Sequence, residues 1–163
     1  MKINMPTRKR MTSRQFKIRK MIISDYPGLF GLWKNMPGIG LDKGCDSKKG
    51  IKDYLRRNPG LSFVACEGKK IVGAVLSGHD GRRGYLHHLA VAESHRKSGI
   101  GKKLVECCLA GLARKNIPKC NIFLFNSNAK GRAFWKHNGW NLRTDLSIMQ
   151  KMTRIRNENS CGC

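Results

Sequence analysis

Two adjacent histidines, His87 and His88, stand in an apolar run that leads to a basic, glycine-containing turn. The run is Tyr85-Leu86-His87-His88-Leu89-Ala90-Val91 and the turn is Arg96-Lys97-Ser98-Gly99-Ile100-Gly101. An unperturbed imidazole titrates near neutrality, so either histidine suits general-base work. The turn suits anion binding. A strand that passes through glycines into a helix leaves several backbone N–H groups unpaired at the positive pole of the helix dipole. Gly99 permits the turn, Gly101 allows close approach to the first helical turn, and Arg96, Lys97, Lys102 and Lys103 add positive charge. The elements that must position these groups are legible. Tyr85–Val91 has the β-branched, aromatic and apolar content of a half-buried strand. From Ile100 onward, apolar residues recur at Leu104, Cys108 and Leu112, with Val105 and Leu109 beside them, which is helical spacing. Successive strand residues face opposite ways, so period two places His87, and not His88, on the face of Tyr85 and Leu89. Tyr85 is a second catalytic candidate. His88, Asp80 and Glu93 are weaker ones, and proton removal through a water chain remains open.

The turn lacks the Gly-Lys-Ser/Thr ending of a nucleotide-binding P-loop and has too few glycines for a dinucleotide fingerprint. Arg-x-x-Gly-x-Gly directly behind Leu89-Ala90-Val91 resembles instead the acetyl-CoA signature of the GCN5-related N-acetyltransferases. Ser77–Gly84 leads into the strand as in small bacterial-type members. Asn128, followed by Ala133-Phe134-Trp135 and Gly139-Trp140, resembles their later segment. The resemblance covers roughly residues 14–152. It implies acetyl-CoA as co-substrate, no metal, and direct attack by a primary amine in a ternary complex. The amine would belong to a small molecule, a protein N-terminus or a lysine. It also implies cofactor contacts from Leu89, Ala90, Val91, Arg96, Lys97, Ser98, Gly99, Ile100, Gly101, Lys102, Asn128 and Trp135. His87 coincides with one position of the catalytic His-x-His strand of arylalkylamine N-acetyltransferases, and Tyr85 with the other. Where the family usually has a tyrosine general acid, this chain has Trp135, whose indole N–H donates a hydrogen bond but does not release its proton. The alternative reading is a basic module that binds CoA or another polyanion without acetyl transfer.

Composition sets the outer bounds. The 163 residues suffice for one domain with a real core, and 40% hydrophobic content is ordinary for a globular chain. No apolar run approaches the roughly 20 residues of a membrane span, and the basic N-terminus lacks the apolar segment of a secretory signal. The expectation is a cytoplasmic protein without membrane association. The formal net charge of +23 is the outlying quantity. Eight Lys or Arg fall within residues 1–20, yet the excess continues through the rest of the chain. Attraction to polyanions, such as nucleic acid or the ribosome, is the expected consequence. The seven cysteines, at 45, 66, 107, 108, 120, 161 and 163, contain no metal-binding spacing and read as reduced thiols.

In chain order, the expectation is a basic disordered arm at 1–13, a domain at 14–152 and a flexible Cys-Gly-Cys tail at 153–163. Within the domain, strands are expected at Phe16–Lys20, Leu61–Glu67, Lys70–Ser77, Tyr85–Val91, Lys119–Phe125 and Leu146–Lys151. Helices are expected from Ser24 to about Asn35 and at Lys48–Asn58, Gly99–Lys115 and Asn128–Asn138. The fold class is therefore α/β (α+β). A mixed, mostly antiparallel sheet of six to seven strands would be flanked by about four helices, with the fold that the resemblance implies.

Overall fold

The structure, a computed structural model, describes residues 15–34 and 36–153. The expected basic arm and nearly all of the cysteine tail lie outside the described residues. Five strands and four helices follow one another as β1 (Lys17–Lys20), α1 (Tyr26–Trp33), α2 (Lys48–Arg57), β2 (Phe63–Glu67), β3 (Lys70–His79), β4 (Gly84–Val91), α3 (Ile100–Ala113), β5 (Cys120–Ile122) and α4 (Ala129–His137). The strands form one sheet in the order β1-β2-β3-β4-β5. The first three pairings are antiparallel, and β4–β5 is parallel.

The central strands are apolar on both faces because both faces are covered. Val64, Cys66, Ala74, Leu76 and Ala90 pack with Leu29, Trp33 and Ile51 of α1 and α2. Phe63, Ala65, Val72, Val75 and Leu86 pack on the other side with Ile100, Leu104, Val105 and Cys108 of α3, and with Trp135 of α4. Two glycines let α3 sit close to the sheet. A Cβ at Gly73 would lie 2.8 Å from Ile100, and one at Gly84 would lie 2.5 Å from Leu112. Burial pushes the Cys108 thiol up to about 12 and the Cys120 thiol up to about 11, so both behave as small apolar side chains rather than nucleophiles.

Three expectations are corrected. The sheet has five strands among the described residues, not six or seven. Leu146–Lys151 is no strand, because no neighbouring edge pairs with it, and Leu146, Ile148 and Met149 stand exposed. β5 stops at Ile122 rather than Phe125, since it pairs only with Gly84–Leu86. The segment Ser24-Asp25-Tyr26-Pro27, expected to cap the first helix, gives α1 no side-chain hydrogen bond from its N-cap Asp25. Its carboxylate instead accepts from the Ile22 amide and from both Arg19 terminal nitrogens, at 2.6 and 2.7 Å. Burial alone would raise that carboxyl, but these donors hold it below its ordinary value.

Candidate active site

The site grows from an irregularity in β4. Its register against β3 pairs Ala90 with Ala74 but His87 with Leu76, so His88 and Leu89 together oppose Val75. This is a β-bulge, and His88 carries the left-handed φ of +51° that accommodates the extra residue. The bulge defeats the period-two expectation. His87 remains on the α1–α2 side with Tyr85, but His88 turns to the same side, where its ring lies 5.2 Å from that of Trp33. Leu89 and Val91 swing to the α3 side instead. Both histidines therefore share one face, and Leu89 leaves it.

Beyond Leu86, β4 has no partner strand on its β5 side among the described residues, because β5 ends at Ile122. The two strands thus part along the stretch of β4 that leads to the start of α3. At that start Gly99 is the N-cap, with φ +82° and no side-chain cap. A Cβ there would meet nothing within 4 Å, so glycine is required by the backbone turn and not by crowding. Among the described residues, no group accepts from the amides of Ile100, Gly101 and Lys102; the first intrahelical bond is Lys103 N–H to Gly99 carbonyl, at 3.0 Å. Lys97, also in the left-handed region at φ +60°, and Lys102 are exposed beside these amides. Unpaired amide donors with Lys97 beside them, and Lys102 paired only loosely with Glu106 at 3.9 Å, fit a phosphate-bearing ligand such as CoA. Gly101 serves differently from the expectation. A Cβ there would lie 3.3 Å from the Phe134 ring, so the position admits α4. Ser98 spends its hydroxyl on the His95 carbonyl. Arg96 donates to the Val91 carbonyl at 3.3 Å and reaches Met36 Sδ at 3.2 Å, which draws the α1–α2 connection toward the turn.

His87 lies in an aromatic enclosure. Its ring is 6.1 Å from Tyr54, edge-on, and stacks 6.4 Å from Tyr85, which in turn stacks on Phe123 at 6.1 Å. Among the described residues neither ring nitrogen is hydrogen bonded. Burial, reinforced by the neighbouring His88 and opposed by Asp46, lowers its pKa, so the neutral, proton-accepting form prevails at neutral pH. Tyr85 donates its hydroxyl to Asp80 Oδ2 at 3.3 Å. Asp80 itself closes the β3–β4 turn by accepting from the amides of Arg82 and Arg83, both at 2.7 Å, and Glu93 stands 91% exposed. Asn128 caps α4 through Gly131 N–H at 2.8 Å, and its amide packs against Gly38, whose φ is +84°. Trp135 is 8% exposed in the core, its ring 4.8 Å from Trp140 and 5.1 Å from Phe134.

Tyr54 and Phe123 escaped sequence reasoning, and Trp33 and Asp46, within a loop expected only to border the acceptor, were not tied to His88. The first two differ in no way from core aromatics when seen in sequence. Asp46 lies in a polar loop, and its approach to within 2.7 Å of His88 Nε2 has no local signal.

Residues 29–140 match the model of the acetyltransferase (GNAT) family. The chain belongs to this family. The acyltransferase class expected from the sequence is that of the family as a whole. An acetyltransferase of Sodalis glossinidius is 30% identical over 51% of this chain, which spans 58% of that relative's length. An acetyltransferase of Yersinia enterocolitica is 30% identical over 69% of this chain and 78% of its own. Among solved structures, the PaiA N-acetyltransferase of Thermoplasma acidophilum in complex with coenzyme A superposes with a TM-score of 0.70 at 19% identity, covering 79% of this chain and 91% of that one. The Escherichia coli ribosomal-protein-S18-alanine N-acetyltransferase does so with a TM-score of 0.66 at 18% identity, over 80% of both chains. At these identities the structural likeness establishes the fold. No helix among the described residues is long and apolar enough to cross a membrane.

Proposed function

We propose that the protein transfers the acetyl group of acetyl-CoA to a primary amine by direct attack within a ternary complex. The observation that carries this reading is the continuity of the unpaired β4 edge with the uncapped start of α3. Together they offer backbone groups to an extended chain and donors to its phosphates. Arg96, Lys97, Ser98, Gly99, Ile100, Gly101 and Lys102 form the phosphate cradle, and Leu89, Ala90 and Val91 line the chain leading to the thioester. Asn128 and Trp135 support the opposite wall from α4. When bound, acetyl-CoA supplies an already activated acyl group, so the protein's task is mainly to hold and orient. The bulged peptide at His88–Leu89 directs an N–H toward the oxygen that gains charge during attack. His87, neutral and free of hydrogen bonds among the described residues, takes the proton from the amine directly or through one water. Tyr85 is the nearby hydroxyl able to return a proton to the leaving sulfur.

Solved neighbours act on different acceptors, among them the S18 alanine named above and, in another case, aminoglycosides. The acceptor here is drawn from this chain's own character. With 33 basic and 10 acidic residues the protein does not recruit polycations. A protein N-terminus, a lysine side chain or a small amine carried past the aromatic wall fits better. The same charge favours association with nucleic acid or ribosome. A second reading, CoA binding without turnover, draws support from Trp135, which fills core where a tyrosine acid would stand.

Calorimetric titration with acetyl-CoA at moderate and high salt, with ATP as a polyanion control, tests the reading. The expected result is binding that survives salt and that ATP does not imitate. Binding that ATP matches and salt abolishes would overturn it.

A further inference from the structure

The connection between α1 and α2 delivers a single carboxylate to the bulge. Asp42 Oδ1 accepts from the amides of Gly44 and Cys45 at 2.8 and 2.7 Å, folding the connection into a tight turn. Gly50, at the start of α2, lets the Cys45 carbonyl approach so closely that no Cβ would fit. Asp46 is held at the end of that turn. Its Oδ2 accepts from Asp42 N–H at 2.7 Å, and its own carbonyl accepts from the Tyr26 hydroxyl at 3.0 Å. Oδ1 is left for His88, whose Nε2 lies 2.7 Å away; the two side chains are only 9% and 16% exposed. A carboxylate accepts and does not donate, so His88 Nε2 carries the hydrogen of this bond. On the backbone side, the His88 carbonyl accepts from Trp33 Nε1 at 3.1 Å. Carbonyl and following N–H point in opposite directions across a trans peptide, so this bond sends Leu89 N–H away from Trp33.

A left-handed conformation at a non-glycine residue persists only where its surroundings fix it from several sides. Here the imidazole and the carbonyl of one residue are each pinned by a different segment. We propose that Asp46 is a positioning residue for acetyl transfer. Acting through His88, it fixes the β4 bulge and so aims the Leu89 amide. The inference rests on the acetyltransferase reading for its purpose, but its geometry is tested independently of any acceptor. It also accounts for a histidine where glycine or asparagine would be the ordinary choice at that φ. The imidazole supplies a handle that the loop can hold.

The test uses the full chain and its Asp46→Asn and His88→Gly variants. Long-range proton–nitrogen NMR reads the His88 tautomer, the Leu89 amide resonance reads the bulge, and calorimetry reads acetyl-CoA affinity. The expected wild-type signature is a hydrogen on Nε2. Asp46→Asn mixes the tautomers, moves the Leu89 amide and weakens acetyl-CoA binding about tenfold, the scale of one lost charge-assisted hydrogen bond. His88→Gly keeps the φ but lacks the handle, and is expected to move the Leu89 amide likewise. Three results would overturn the proposal: an Nε2 without a hydrogen, an unmoved Leu89 amide in both variants, or unchanged affinity in Asp46→Asn. Should wild type bind no acetyl-CoA, the acetyltransferase reading falls, while the tautomer and amide signals still decide whether Asp46 fixes the bulge.

Discussion

His87 and His88 differ by one position and by everything around them. Among the described residues His87 has rings about it and no hydrogen bond, whereas His88 is tied at Nε2 and at its carbonyl. A free imidazole beside the opening can exchange a proton, and a tied one holds its place. His87→Ala is therefore expected to lower acetyl transfer about 100-fold or more while leaving acetyl-CoA affinity within about twofold, measured by turnover assay and calorimetry. Loss of binding in that variant would mark the ring as a wall rather than a base. The depressed pKa also predicts the sign of a stability effect. The unfolded chain takes up this proton at the ordinary 6.5, before the folded chain does. Stability is thus complete above that value and declines as pH falls below it, by an amount that His87→Ala removes in urea denaturation. At this scale the sequence was half legible. Period two put Tyr85 and His87 on one face, where their rings stack, and Gly99 marked the start of α3. Legibility failed on the face of His88 because a bulge is a property of strand pairing, and on Asp46 because its partner is 42 residues distant.

Elements were read best where an end is marked by chemistry. Ser47 caps α2 by accepting from Gly50 N–H at 3.0 Å, Asn128 caps α4, and Gly99 opens α3, all where residue type announced a boundary. The last strand was misread because apolar alternation alone does not provide a partner edge, and β5 was read too long for the same reason. Two substitutions separate the roles of α3. Leu104→Ala empties a fully buried contact with the sheet and is expected to cost about 3 kcal/mol in urea denaturation, with acetyl-CoA affinity kept while the protein is folded. Gly99→Ala adds a methyl into open space but strains the +82° backbone, at a cost of about 1 kcal/mol. Its larger effect is expected on acetyl-CoA affinity, because the turn aims the amides. Equal losses in both variants would mean that the start of α3 is scaffold only.

For the whole molecule, the family was legible from the resemblance of its motifs, and the fold class and all but the last element from residue patterning, since a three-layer arrangement is the simplest cover for strands apolar on both faces. The geometry of the opening between β4 and β5 was not. The two strands share only three residue pairs, Gly84–Cys120, Tyr85–Asn121 and Leu86–Ile122. The far side is bridged lightly, where Gly40 meets the Phe125 ring and Gly38 meets Asn128. The molecule is thus a clasp: a stiff jaw of four antiparallel strands, and a lighter jaw of β5 and α4, joined to the sheet by three residue pairs and to the core through Trp135. Such a junction opens at lower free energy than the antiparallel sheet unfolds. Amide hydrogen exchange should accordingly run faster in residues 120–137 than in β2 and β3. A ligand gripped between the jaws should slow it there most, so the lighter jaw reports occupancy of the opening even where no catalytic turnover is measured.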